Sequence, residues 1–205
     1  MAEQVFPTKG NLIKTKRSLL QAQLGYDLMD RKRSVLVREM VSLVDTAREL
    51  RDEIDVTYAE AYRALEYANL TLGVVGTIAQ TFPVENSLKL SARSVMSVEL
   101  PKITANLTAS DRPPYSMTLT SSEFDKAYIK FNKVKEITVR LAELENSIYR
   151  LAVAIKKTQK RANALKNIII PRFEEQLKYI SNALEEKDRE EFSRQKVIKH
   201  RKVGN

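Results

Sequence analysis

The chain contains no cysteine, no tryptophan and a single histidine among 205 residues. Without cysteine there are no disulfides, no thiolate metal site and no cysteine nucleophile, a composition that fits a reducing compartment. Glycine (five) and proline (six) are also scarce, too few for a turn-rich sandwich or the many loops of a doubly wound sheet. Long apolar runs are missing as well. No stretch approaches the ~18 consecutive apolar residues of a membrane span, and the opening MAEQVFPTKG has no apolar signal core. A soluble, cytoplasmic protein without direct membrane insertion is expected.

What is abundant is charge interleaved with apolar residues. Hydrophobic residues make up 43% of the chain and charged residues 30%, with a formal net charge of +9. That mixture suits amphipathic helices, and the basic excess implies a polyanionic partner: nucleic acid, anionic lipid or an acidic protein surface. Composition does not choose among them.

Apolar residues from Leu19 recur in alternating steps of three and four: Leu19, Ala22, Tyr26, Met29, then Leu36, Met40, Leu43, Ala47, Leu50 and Ile54, with Arg33 filling the gap. This is a coiled-coil seam. It slips near Tyr58 and resumes at Ala61, Leu65, Ala68 and Leu72, a stutter that locally unwinds a supercoil. A second seam runs from Phe124 through Ala127, Phe131, Val134, Leu141, Leu144, Ile148, Leu151, Ile155, Thr158, Ala162 and Leu165 to Ile169, and on through Phe173, Leu177, Ile180 and Leu184. Pro171 lies inside it. A proline within a helix removes a hydrogen bond and clashes with the preceding turn, at a cost of about 3 kcal/mol. Because the periodicity survives on both sides, one continuous helix kinked at Pro171 is expected, with the Asn167 carbonyl left free. The alternative is two helices broken at Ile170.

The fold expected is therefore all-α: one elongated domain built as a long antiparallel two-helix coiled coil. Its first helix spans residues 1–72, an insert 73–121, and a second helix with a basic tail 122–205. At 1.5 Å per residue the two helices would be roughly 90 and 105 Å long. In the antiparallel register that sets Leu72 near Phe124, Ile54 faces the 142 region and Leu36 the 160 region. The acid-rich run from Glu39 to Glu66 then lies against the cation-rich run from Lys130 to Lys157.

The insert holds most of the prolines and many Ser and Thr residues. RSVMSVELPKI reads as a strand ending before Pro101 and PYSMTLTSS as a second, closing a short hairpin around TASDRPP. The hairpin and the irregular segment around it would form a knob at the end opposite the termini. Thr120 and Glu123 are placed as a capping box for the second helix.

Catalytic constellations are scarce. His200 lies in the tail RQKVIKHRK and reads as a solvated basic-tail residue. LGVVGTIA lacks the lysine and hydroxyl of a phosphate-binding loop. LEEKDREEF alternates carboxylates with cations along a helix, which is an ion-paired face rather than an acid/base pair. No catalytic residue, cofactor or metal ligand is expected.

The two ends of the chain carry a resemblance. PTKGNLIKTKRSLLQAQLGYDLMDRKRSVL resembles the N-terminal pattern of the D subunit of V-type and archaeal-type ATPases. KRANALKNIIIPRFEEQLKYI, followed by DREEFSRQKVIK, resembles that family's C-terminal stretch, and RSVMSVELPKI its central insert. The chain departs from the pattern at Tyr26, where the family usually has His, at Ala162 for Val and at Lys166 for Glu. The resemblance implies a central-stalk rotor, itself non-catalytic, that transmits torque between a catalytic hexamer of A and B subunits and a membrane ion-translocating ring. Implied partners are the F subunit, the A and B subunits and the funnel-like subunit above the ring, with the complex on the cytoplasmic face of the membrane.

A competing reading is a basic coiled-coil module that binds nucleic acid or acts as an adaptor. It rests on charge alone, since aromatic residues are not interleaved with the basic clusters and no nucleic-acid motif appears. No nucleic-acid partner is therefore expected. In the antiparallel register Arg31, Lys32, Arg33 and Arg38 lie level with Lys160 and Arg161. Like charges at one level do not neutralise each other, so this belt is the expected contact surface for an acidic partner, with Pro171 as the kink of the shaft. The tail cations Arg194, Lys196, Lys199, Arg201 and Lys202 follow the acidic run from Glu185 to Glu191, which offsets part of their charge.

Overall fold

A computed structural model describes residues 6–82, 84, 86–105, 114–118 and 120–203, with side chains as far as residue 200. Helix α1 spans Lys9–Leu72, a short α2 Gly76–Ala79, strands β1 and β2 Leu88–Val95 and Val98–Ala105, and helix α3 Ser122–Ala164. A π-helical turn at Leu165–Ile169 leads directly into α4, Ile170–Val203. The chain is thus mainly helical, with one two-stranded antiparallel hairpin. It divides into two compact units, Met1–Ser34 with Lys156–Asn205, and Val35–Ile155.

Both ends of α1 follow from local chemistry. Thr8 is its N-cap: the Asn11 N–H donates to Thr8 Oγ1 at 3.2 Å and the Leu12 N–H to the Thr8 carbonyl at 3.0 Å. Gly73, at φ +76°, stops the helix in the left-handed region, where a side chain would be strained. At the start of α3 the Ser121 carbonyl accepts from the Phe124 and Asp125 N–H groups. The expected capping box does not form. The Thr120 hydroxyl donates instead to the Ser116 carbonyl at 3.3 Å, and Glu123 pairs with Lys126 at 2.7 Å.

In the Val35–Ile155 unit, α1 and α3 pack antiparallel. Arg51 meets Glu145 at 3.5 Å, the Tyr58 hydroxyl meets Thr138 Oγ1 at 2.9 Å, and Thr71 meets Ser121 at 3.2 Å. The first two pairs fall on the register that sets Ile54 opposite the 142 region. Charge complementarity along it is mixed: Glu60–Lys130 has the expected sense, whereas Arg51–Glu145 has the opposite one. Towards the Leu72 end the buried seam sets small residues of α1 (Ala61, Ala64, Ala68) against Phe124, Ala127, Val134 and Ile137 of α3, which lets the backbones approach closely. Thr57 is also buried there, its hydroxyl satisfied by the Glu53 carbonyl at 2.7 Å.

The insert takes two places. Val75 of the α1–α2 turn, Ile78, Phe82 and Tyr115 pack on Ala64, Ala68, Phe124 and Ala127, close to where α1 ends and α3 begins. The hairpin lies elsewhere. Leu100, 1% exposed, enters a core with Leu36 and Leu151, flanked by Val95, Val98, Met40 and Ile155. Three charged contacts hold it: Arg93 to Glu39 at 2.6 Å, Arg150 Nη1 to the Glu99 carbonyl at 3.0 Å, and the Ile103 N–H to Glu143 Oε2 at 2.8 Å. The expected strands are corrected. RSVMSVELPKI is not one strand but contains the turn, Met96–Ser97, at φ 49° and 64°. Pro101 lies inside β2 rather than after it. The described residues of PYSMTLTSS form no strand, and residues 108–113 of the expected loop lie outside the described residues.

In the other unit Thr15 and Ala22 of α1 and Thr158, Ala162 and Ile180 of the second helical stretch are buried. Helix continues through Pro171, as the seam predicts, and the π turn explains how. The Ile170 N–H donates to the Leu165 carbonyl, an i→i−5 bond that widens the turn just before the proline ring. The widened turn also absorbs the irregularity in the seam. Three successive steps of four from Leu165 to Leu177 carry about one residue more than three α-helical turns hold.

Candidate interaction surface

Arg31, Lys160 and Arg161 are exposed, and Lys32 and Arg33 partly so, in the unit that also contains the π turn. Arg38 is exposed on the other unit. Arg33 departs from the expected belt. It donates to Gln159 Oε1 at 2.6 Å and pairs with Asp30 at 2.7 Å, so its charge is used within the unit. The sequence does carry a signal for Asp30, a carboxylate three residues before an arginine on a helix. Gln159 has no such signal, because a neutral amide carries no charge pattern. Arg31, Lys32, Lys160 and Arg161 have no ion pair among the described residues, which leaves a band of four cations facing water.

The Tyr26 and Lys166 departures from the resembled pattern touch each other. Lys166 Nζ stands 5.8 Å from the centre of the Tyr26 ring, a cation–π contact. An aromatic ring and an ammonium thus meet at these two positions, one from each helical stretch.

The acidic run of α4 is ion-paired along its own helix, Arg189 with Glu186 at 3.4 Å and Arg194 with Glu190 at 3.7 Å. Lys196 lies over the Phe192 ring. An open groove of about 390 Å³ between α1 and α3 is lined by Thr46, Glu49, Leu50, Glu53, Arg140, Glu143 and Leu144. Two of its charges already serve the fold, Arg140 on Glu136 and Glu143 on the hairpin backbone. Among the described residues no cluster of three or more His, Asp or Glu side chains is placed to hold a metal ion. No described helix is long and apolar enough to cross a membrane.

Paired long helices with a hairpin latched to their flank define a mainly helical coiled-coil protein. The family model for the D subunit of ATP synthase matches residues 11–200, and the chain belongs to that family. It is 45% identical over 199 residues to the D subunit of the V-type ATP synthase of Thermotoga neapolitana, covering 96% of this chain and 98% of that protein. The D subunit of the A-type ATP synthase of Thermococcus sibiricus is 36% identical over 200 residues, covering 96% of this chain and 94% of that protein. That of Pyrococcus furiosus is 37% identical over 202 residues, with the same coverage of both chains.

Proposed function

We propose that this chain is the central-stalk rotor of a rotary ATPase or ATP synthase, carrying torque between a catalytic A/B hexamer and a membrane ion-translocating ring. The observation that carries the reading is family membership along nearly the whole chain, joined to two uninterrupted helical stretches, α1 and α3 through α4. Torque transmission requires continuous, closely packed helices and little chemistry, which agrees with alanine-rich packing and with a non-catalytic role. Nucleotide chemistry is then the work of partner subunits. The F subunit and the funnel-like subunit of the rotor ring complete the stalk, and the chain is peripheral on the cytoplasmic face of the membrane.

Within this reading Arg31, Lys32, Lys160 and Arg161, with Arg38 on the other unit, meet acidic loops of the hexamer. Each exposed pair contributes only about 0–1 kcal/mol, weak enough to break and re-form as the stalk turns. Pro171 and its π turn provide the bend that makes the shaft asymmetric, since both features are recognised causes of helix kinks. Three catalytic sites held in different states need an asymmetric shaft.

A bead attached through a Val74→Cys label, in a complex immobilised by its catalytic subunits, tests the role. Val74 is 88% exposed and leaves the seam untouched. ATP-driven stepwise rotation of the bead is expected. A stationary bead on a complex that still hydrolyses ATP overturns the assignment.

A further inference from the structure

The two edges of the hairpin are treated differently by the rest of the molecule. β1 and β2 pair antiparallel with Leu88 opposite Ala105, Leu90 opposite Ile103, Ala92 opposite Pro101 and Ser94 opposite Glu99. The Glu99 carbonyl and the Ile103 N–H point away from β1, because they bond Arg150 and Glu143 of α3. Pro101, between them, has no N–H to offer. The outer edge of β2 is therefore closed by one arginine, one proline and one glutamate.

The alternation of an antiparallel ladder then fixes the other edge. If residues 99, 101 and 103 turn their backbone groups outward, so do their partners Ser94, Ala92 and Leu90, and Leu88 with them. No described residue bonds to these outward groups of β1, and seven of its eight residues are exposed. The strand contains no proline. An edge of this length that the described residues leave unshielded is a template for a further strand.

Side chains specify what that strand would look like. Opposed residues share a face, so Leu88, Leu90 and Ala92 lie with Pro101, Ile103 and Ala105 on the face opposite the Leu100 anchor. This stretch of the face is apolar, with Leu90 76% exposed, and gives way to the Ser94–Glu99 pair near the turn. The other face of β1 carries Lys89 and Arg93, and β1 has no acidic residue.

We propose that the free edge of β1 binds an extended segment of a neighbouring subunit by strand addition. That segment has apolar side chains toward Leu88 and Leu90 and carboxylates toward Lys89. The inference rests on the rotary-ATPase reading for the source of the segment. A second copy of this chain fits poorly, since β1 has no acidic residue to set against Lys89, and Arg93 is already paired with Glu39.

Residue-resolved hydrogen exchange on the full chain, alone and in the assembled ATPase complex, tests this. In the free chain the Leu90, Ala92 and Ser94 amides exchange fast, while those of Lys89, Ser91 and Arg93, which face β2, are protected. In the complex the outward set gains protection of about tenfold or more. A Leu90→Pro variant is the companion. Like Pro101 it removes only an outward N–H, so the hairpin amides of Ser91 and Arg93 stay protected while the gain at Ala92 and Ser94 disappears. Three results overturn the proposal: outward amides that stay fast in a complex that has assembled, protection unaffected by Leu90→Pro, or protection of the chain alone that rises with its own concentration. Failure of the complex to assemble with this chain at all instead overturns the rotary-ATPase reading.

Discussion

Arg33 Nη1 donates to Gln159 Oε1 at 2.6 Å across the helix pair, while its other terminal nitrogen holds Asp30 at 2.7 Å. An arginine at a seam position is thereby satisfied from both helices, and only one register supplies both partners. Polar residues at such positions trade stability for uniqueness of register. Gln159→Leu should lower stability by about 1 kcal/mol, because one donor of a part-buried arginine loses its acceptor. Arg33→Leu combined with Gln159→Leu should recover or exceed the parent value, since an apolar pair needs no partner. Urea midpoints of the three proteins check the order. A double variant no more stable than Gln159→Leu would mean the contact does not couple the helices.

The Tyr26–Lys166 contact makes a second prediction. Tyr26→His and Lys166→Glu should each destabilise alone, and together should cost less than the sum. Each single change leaves a ring or a charge without its counterpart, whereas the pair sets an imidazole beside a carboxylate, which can bond each other. A coupling of about 0.5–1 kcal/mol in a double-mutant cycle is expected. Additive effects would separate the two residues.

Tyr115 gives the fold an alkaline limit. Burial first, and then its 2.7 Å hydrogen bond to Asp125, raise the phenol above its ordinary range. The neutral form is favoured in the folded state. Its contribution is therefore complete below the unfolded value of about 10 and is lost as pH rises through the higher folded value. Tyr115→Phe should lower Tm at pH 8 and flatten the fall in Tm above about pH 10. An unchanged alkaline slope would contradict the assignment.

Charge reversal tests the basic band. Arg31→Glu with Arg161→Glu should weaken association with the catalytic hexamer at low salt and matter little at about 1 M salt, where screening shortens to ~3 Å. Arg33 is a poor target, since its reversal would also break the Asp30 and Gln159 contacts. Binding by the variant equal to the parent at low salt would remove the band from the interface.

Features with a long period are legible in the sequence. The seams reveal the helical pair, and their persistence beyond Pro171 reveals its continuity, because burial repeats along every turn. The hairpin escapes such a reading for a local reason. Its turn residues, Met96 and Ser97, adopt positive φ without the Gly or Asn that normally marks such a turn, so the two strands look like one. Nor does Pro101 end a strand when its missing N–H lies on an outward position. Where the hairpin docks depends on Leu100 finding Leu36 and Leu151, residues far apart in the chain whose association no local pattern encodes. The basic residues are visible as a run, but which of them is spent inside the fold depends on Gln159.

The π turn at Leu165–Ile169 bears on how chain length can change. A helix with one surplus residue in a turn keeps the same faces buried downstream as a helix one residue shorter. Loss of a residue here, such as the exposed Lys166, would therefore leave Ile180 on its buried side. Loss from a regular stretch of α3 would turn everything beyond it by ~100°. Yet the shortened helix would close normal turns against Pro171, where the ring clashes. The surplus residue and the proline are consequently tolerated as a pair. A lineage that loses the first without the second passes through a less stable protein, whereas one that replaces the proline first has an open path to a regular helix.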